Sequence, residues 1–183
     1  TQLLYDCKIE PIFANTKEGA NIYRRSLCFL LAVVAHKLFP KNRLLVGHSL
    51  GYGYYYTLDS NTEITDSQIS QLGKEMSSFV KKNLEIKTEI ISFENAINLF
   101  EKQGLTEARK QLDYNASPTI KVSSLDGFSD LYYGPLTSNT GVLKTFELKK
   151  YGKGFLLRFP KSSDPSSLPK FKDQPKLFEI YSQ

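Results

Sequence analysis

The sequence is poor in the residues that build metal centres and disulfide frameworks. Its 183 residues include two cysteines, two histidines, one methionine and no tryptophan. Cys7 and Cys28 share no metal-binding or redox spacing, and His36 and His48 add no recognisable ligand pattern. A zinc centre needs three or four converging ligands, so we expect no metal site here. Two isolated cysteines are typical of a protein kept in a reducing cytoplasm.

Long apolar runs and phosphate-binding loops are also missing. No run approaches the roughly 20 apolar residues that span a bilayer, and the longest stretch, Leu27 to Ala35, is typical of a buried helix. No G-x-x-x-x-G-K-[ST] sequence is present, so we expect no ATP site and no cofactor within these residues. Thr1 to Glu10 lacks the pattern of a signal peptide. We therefore expect a cytoplasmic protein with no membrane partner.

What is present indicates a globular protein. Hydrophobic residues make up 40% of the chain, with 12 Phe and 11 Tyr. The net charge of +5 permits contact with nucleic acid or nucleotide phosphate. It does not require such a partner, because the chain has no dense Lys/Arg block and a basic balance also serves solubility.

Hydrophobic periodicity predicts an α+β fold with a largely antiparallel sheet packed with two long helices. The long helices are expected over Asn21 to Phe39, after a polar turn at Lys17 to Ala20, and from Asp66 onward, with Thr65 as its cap. Ser92 is expected to cap a shorter helix that runs to Phe100. The predicted strands are Arg43 to Ser49 and Tyr52 to Leu58, joined as a hairpin, then Lys87 to Ile91, Thr119 to Leu125, Gly141 to Leu148 and Gly154 to Phe159.

Composition divides the chain into three parts. Residues 1–13 are predicted to be the end strand of a preceding module, and residues 14–159 the α+β domain. Residues 160–183 contain four prolines among serines and lysines, which predicts an extended linker or a tail along the domain. Leu177 to Tyr181 turns apolar again and indicates the beginning of another element.

Candidate ligand-binding residues lie on the hairpin and near a later turn. Tyr54 and Tyr56 share one strand face and Tyr55 takes the other, so one face is core and the other is free to stack on a ring. Core packing alone is the stronger interpretation. His48 borders the hairpin. Three further candidates, Asp130, Tyr132 and Tyr133, precede the turn Gly134-Pro135.

The order of these segments resembles the editing domain of threonyl-tRNA synthetases. The similar segments are Arg24-Arg25-Ser26 opening a helix that ends at Leu38-Phe39-Pro40, Val46 to Leu58 with Gly53-Tyr54-Tyr55-Tyr56, Ile64-Thr65 before a helix with Lys74-Glu75-Met76, and Asp130 to Pro135 with Ser138, Thr140 and Gly141. The resemblance implies the second-additional-domain fold of threonyl- and alanyl-tRNA synthetases. Where that family has His, His, Cys and His, this chain has Arg25, Phe29, Tyr132 and Leu136. We therefore expect no catalytic and no metal-binding residue.

A second resemblance is to nucleoside (uridine) kinases that carry such a domain ahead of their P-loop domain. It rests on Tyr23 to Leu27, His48 to Gly51, Gly154-Phe155, Leu157 to Pro160, Leu168-Pro169 and Gln174 to Phe178. It implies a TGS module ending at Cys7 to Ile12, and a kinase domain after Gln183 that binds ATP and Mg and is the partner of this domain. The alternatives are an RNA- or tRNA-binding module and a free-standing editing hydrolase.

The lost ligands also suggest what the old cleft could do. We hypothesise a groove between the first helix and the hairpin, in which Arg25 grips an anion and Tyr132 stacks on a ring of a nucleotide. The competing interpretation is that Arg25 pairs with a carboxylate such as Asp130 and that Tyr132 fills the vacated volume. The candidate groove residues are Arg25, His48, Tyr54, Tyr56, Asp130, Tyr132 and Tyr133.

Overall fold

The computed structural model describes residue 8 and residues 10–59, 63–114 and 117–181. The helices are α1 Lys17–Leu38, α2 Asp66–Lys82, α3 Phe93–Lys102, α4 Thr106–Leu112 and α5 Pro175–Tyr181, with a 3-10 turn at Thr140–Val142. The strands are β1 Leu44–Ser49, β2 Gly53–Leu58, β3 Lys87–Ser92, β4 Thr119–Leu125, β5 Phe128–Leu131, β6 Glu147–Tyr151 and β7 Gly154–Arg158. No helix in the described ranges is both long and apolar enough to cross a membrane.

The strands form two sheets in which every pair is antiparallel. One sheet has the order β1-β2-β7-β6 and the other the order β3-β4-β5. The predicted α+β class with antiparallel pairing and two long helices is therefore confirmed, although the strands divide between two sheets. α1 and α2 share one hydrophobic core with the four-stranded sheet, and α3 and α4 pack with the three-stranded sheet around a second, smaller core.

The first helix starts earlier than its apolar pattern predicts. Thr16 is the N-cap, and its hydroxyl accepts a hydrogen bond from the Gly19 backbone N–H at 3.0 Å. The helix therefore includes Lys17 to Ala20, and the prediction of a polar turn there is wrong. At its other end the helix stops at Leu38, two residues before Pro40.

The cap predicted for α2 is present. Thr65 and Gln68 form a capping box, and the helix ends at Asn83 in the left-handed region. Thr140 then ties the end of α2 to a distant loop: its buried hydroxyl donates to the Phe79 carbonyl at 2.7 Å and accepts from the Leu84 N–H at 2.9 Å. This is why a turn, rather than the strand predicted from Gly141, occupies Thr140–Val142.

The C-terminal segment lies along the outer face of the four-stranded sheet. Arg158 pairs with Glu147 and donates to the Pro169 carbonyl, which anchors the segment to β7. The Phe178 ring of α5 packs edge-on against Tyr151, with ring centroids 4.8 Å apart. At the other end of the chain, Lys8 and residues 10–13 form no strand, and two residues of the strand predicted at Cys7 to Ile12, Cys7 and Ile9, lie outside the described residues.

Candidate functional site

A cavity of about 990 Å³ lies between α1, the β1–β2 hairpin, β5 and the segment from Gln103 to Gln111. We call it the groove. It lies where the two hydrophobic cores meet, since Leu105 packs against both. A cavity of this size is large enough for a small organic ligand.

One wall of the groove is a stripe along α1. Arg24, Cys28, Ala32 and His36 recur at a spacing of four residues and all line the groove, together with Arg25. The opposite side of the helix is buried in the core. The small side chains of Cys28 and Ala32 leave the space between the helix and the hairpin open. Burial raises the pKa of the Cys28 thiol.

The facing wall is supplied by the tyrosines of β2. Tyr54 and Tyr56 line the groove, whereas Tyr55 points to the other face of the sheet and packs against Phe178 at 5.1 Å between ring centroids. Tyr56 is buried and stacks on Phe155, so the groove face of the strand is also its core face. Burial raises the pKa of Tyr56, and its phenol stays neutral at physiological pH.

Asp130 brings a half-buried carboxyl to the groove from β5. One of its oxygens accepts a hydrogen bond from the Leu131 backbone N–H at 2.7 Å, and no ion pair to it is formed among the described residues. Burial raises the pKa of Asp130 from 3.8 to about 6. A carboxyl of this kind in a cavity is typical of a ligand-binding or catalytic position.

Of the four positions at which the resemblance implied lost ligands, Arg25 and Tyr132 line the groove, whereas Phe29 and Leu136 belong to the neighbouring core. Phe29 is fully buried and packs edge-on against Tyr132, with ring centroids 5.0 Å apart, and Leu136 packs against the same core. Arg25 Nη1 donates to the Pro135 carbonyl at 2.7 Å. The interpretation that Arg25 pairs with Asp130 is therefore wrong, whereas Tyr132 does pack into the core.

Glycine at position 134 is required by the backbone of the turn. Its φ of 112° lies in a region that favours glycine. The Arg25 guanidinium lies next to Gly134 and donates to the Pro135 carbonyl, so Arg25 serves to hold that turn against α1.

The structure brings five of the seven candidate residues together in the groove: Arg25, Tyr54, Tyr56, Asp130 and Tyr132. It places the other two elsewhere, with His48 on an exposed part of β1 and the Tyr133 side chain 76% exposed. The sequence reasoning missed Arg24, Cys28 and His36 as groove residues. Their four-residue spacing on α1 was the signal that could have identified them.

No cluster of three or more His, Cys, Asp or Glu suited to a metal ion occurs in the part of the chain that the structure describes. The charged and polar side chains that line the groove include three arginines, Lys41, His36, Cys28, three tyrosines and two carboxyl residues, Glu107 and Asp130. Such a set is suited to hydrogen bonding and charge pairing with an organic ligand.

Comparison with known proteins identifies relatives for most of the chain. It is 33% identical over 144 residues to the threonine--tRNA ligase of Maridesulfovibrio salexigens, which covers 78% of this chain and 22% of that protein. It is 30% identical over 145 residues to the threonine--tRNA ligase of Francisella tularensis subsp. novicida, covering 79% and 23%. No protein-family model matches the chain. The chain spans less than a quarter of the length of these relatives. It is homologous to part of the threonine--tRNA ligases, and this homology supports the interpretation of the chain as a threonyl-tRNA synthetase editing-like domain.

Proposed function

We propose that this chain is a non-catalytic domain, derived from an editing-type domain of threonyl-tRNA synthetase, that serves as the accessory part of an ATP-dependent nucleoside (uridine) kinase. The observation that supports the first half of this proposal is the contact between Phe29 and Tyr132, two of the four positions at which the resemblance implies lost ligands. Packing engages these two side chains, and Arg25 donates to the Pro135 carbonyl instead of activating water.

The chemistry of these side chains opposes ester hydrolysis. Attack by water on an aminoacyl ester needs a group that accepts a proton near neutral pH. Phe29 and Leu136 have no such group, and the Arg25 guanidinium is a hydrogen-bond donor that is engaged with the Pro135 carbonyl. Burial raises the pKa of Tyr132, so its phenol keeps its proton. The remaining candidates for a base in the groove include Asp130, His36 and Glu107.

We expect the domain to release neither threonine nor serine from charged tRNA above the rate in buffer alone. The measurement is deacylation of radiolabelled seryl- and threonyl-tRNA, with an active threonyl-tRNA synthetase editing domain in parallel as a positive control. Release that is lost in Asp130→Asn would show that Asp130 has become the base and that the domain is a hydrolase. Salt-dependent tRNA binding without release would instead favour the RNA-binding alternative.

The kinase half of the proposal rests on the resemblance in the hairpin and in the tail from Gly154 to Phe178. In this proposal a domain beyond Gln183 supplies the P-loop, holds ATP and Mg, and transfers the γ-phosphoryl group to a nucleoside hydroxyl. Reading the complete coding sequence and assaying the full-length protein for ATP-dependent phosphorylation of uridine tests it. A coding sequence without a P-loop would remove this half and leave the non-catalytic domain.

A further inference from the structure

One arginine in the groove has no hydrogen-bond acceptor among the residues that the structure describes. The chain has five arginines, and four donate to a protein group: Arg25 to Pro135, Arg43 to Glu107, Arg109 to Glu101 and Asp113, and Arg158 to Glu147 and Pro169. Arg24 forms no hydrogen bond or ion pair with any residue that the structure describes, and its buried Nε has no partner. Since a guanidinium carries five N–H donors, Arg24 is a fixed positive charge with unused hydrogen-bonding capacity.

Packing holds this guanidinium in place at the wall of the groove. Its central carbon lies 5.0 Å from the centroid of the Phe159 ring, a cation–π arrangement. Phe159 in turn packs against Tyr54, with ring centroids 4.9 Å apart. Because the ring orients the guanidinium before any ligand arrives, an anion would bind without the entropic cost of ordering a long side chain.

The rest of the groove indicates what such an anion would be attached to. Asp130 on another wall repels a second anionic group and accepts hydrogen bonds from hydroxyls. Tyr54, Tyr56 and Tyr132 add aromatic surface and phenol groups. These features fit a molecule with one anionic end and an uncharged body that carries hydroxyls and a ring.

We propose that Arg24 is the anion-binding residue of the groove and that the ligand is a nucleoside monophosphate, with its phosphate on Arg24 and its ribose hydroxyls toward Asp130. A guanidinium matches two phosphate oxygens at once. The proposal rests on the proposed function in two ways. A groove without hydrolytic chemistry would hold its ligand intact, and a nucleoside kinase produces nucleoside monophosphates. It also moves the anion-binding role from Arg25, which is engaged with Pro135, to its neighbour.

The test is a calorimetric titration of the 183-residue protein with UMP, uridine and inorganic phosphate, with amide chemical shifts recorded in parallel. We expect UMP to bind at least tenfold more tightly than uridine or phosphate and to perturb amides around the groove. Arg24→Gln should weaken UMP binding at least tenfold and leave uridine binding unchanged, and Arg24→Lys should restore part of the loss. Arg109→Gln, which removes the same charge outside the groove, should change the affinity less than twofold.

Three outcomes would overturn the proposal: no UMP binding at millimolar concentration, shifts confined to another surface, or equal losses in Arg24→Gln and Arg109→Gln. A urea unfolding curve of each variant shows whether a loss of UMP affinity comes from unfolding. If Arg24→Gln is unfolded, the UMP affinity of Arg24→Lys decides whether Arg24 binds the phosphate. The proposed function fails on different measurements, namely release of an amino acid from charged tRNA or absence of a P-loop. The two can therefore fail separately.

Discussion

Replacing Phe29 with alanine is expected to lower the free energy of unfolding by about 3–5 kcal/mol. The Phe29 side chain is fully buried and contacts Tyr132 and Phe128, with ring centroids 5.0 Å and 6.3 Å away. Alanine would leave a cavity at the centre of the large core, where α1, β5 and the four-stranded sheet meet. Urea denaturation followed by circular dichroism measures the change.

The matched control for Phe29→Ala is Tyr114→Ala. The Tyr114 side chain is 92% exposed, so truncating this aromatic ring should change the free energy of unfolding by less than about 0.5 kcal/mol. A loss below about 1 kcal/mol for Phe29→Ala would contradict the packing described for Phe29. It would also count against the proposal that Phe29 takes a packing role at a position where the family has a ligand.

Local signals predicted the elements that depend on neighbouring residues. Thr65 with Gln68 fixes the start of α2, and Ser92 caps α3 through the Asn95 N–H. Leu50-Gly51 predicted the hairpin, in which Gly51 has a φ of 60°. In each case the residues that decide the structure lie within a few positions of one another, so the sequence displays them together.

Elements that depend on distant contacts were predicted wrongly or missed. The predicted strand over Gly141 to Leu148 is a turn followed by β6, because Thr140 bonds to the end of α2 some 60 residues earlier. α4 has no side-chain cap, so its start carries no local signal, and β5 has four residues, too few to show an alternating pattern. Tertiary contacts override propensity at such places.

In the groove, too, some features follow from neighbouring residues and others depend on distant contacts. The face shared by Tyr54 and Tyr56 follows from strand alternation alone. Which of two adjacent arginines remains available for a ligand does not follow from the sequence, because the answer depends on where the Gly134-Pro135 turn lies. That turn is 110 residues from Arg25 in the chain and takes up its guanidinium, while Arg24 is left on Phe159.

Asp130→Asn is expected to stabilise the protein at pH 7 by about 1–3 kcal/mol and to have little effect near pH 4. The folded state keeps the Asp130 proton up to a pKa of about 6, whereas an exposed aspartate loses it near 3.8. Between these two values the folded state binds more protons than the unfolded state, so raising the pH through this window lowers the stability of the wild type. Asparagine keeps the acceptor for the Leu131 N–H and cannot ionise, so it avoids this loss.

The measurement is the free energy of unfolding in urea for wild type and variant at pH 4 and pH 7, since groups common to both proteins cancel in the difference. Asp126→Asn is the control, because the Asp126 side chain is 45% exposed and its ion pair with Lys37 contributes less than about 1 kcal/mol. Equal stability of Asp130→Asn and wild type at pH 7 would contradict the burial of this carboxyl. A gain at pH 7 would instead show that the ionised Asp130 carboxyl destabilises the folded protein. A destabilising charge in a groove is typical of a site that binds a ligand, rather than of a site that only packs.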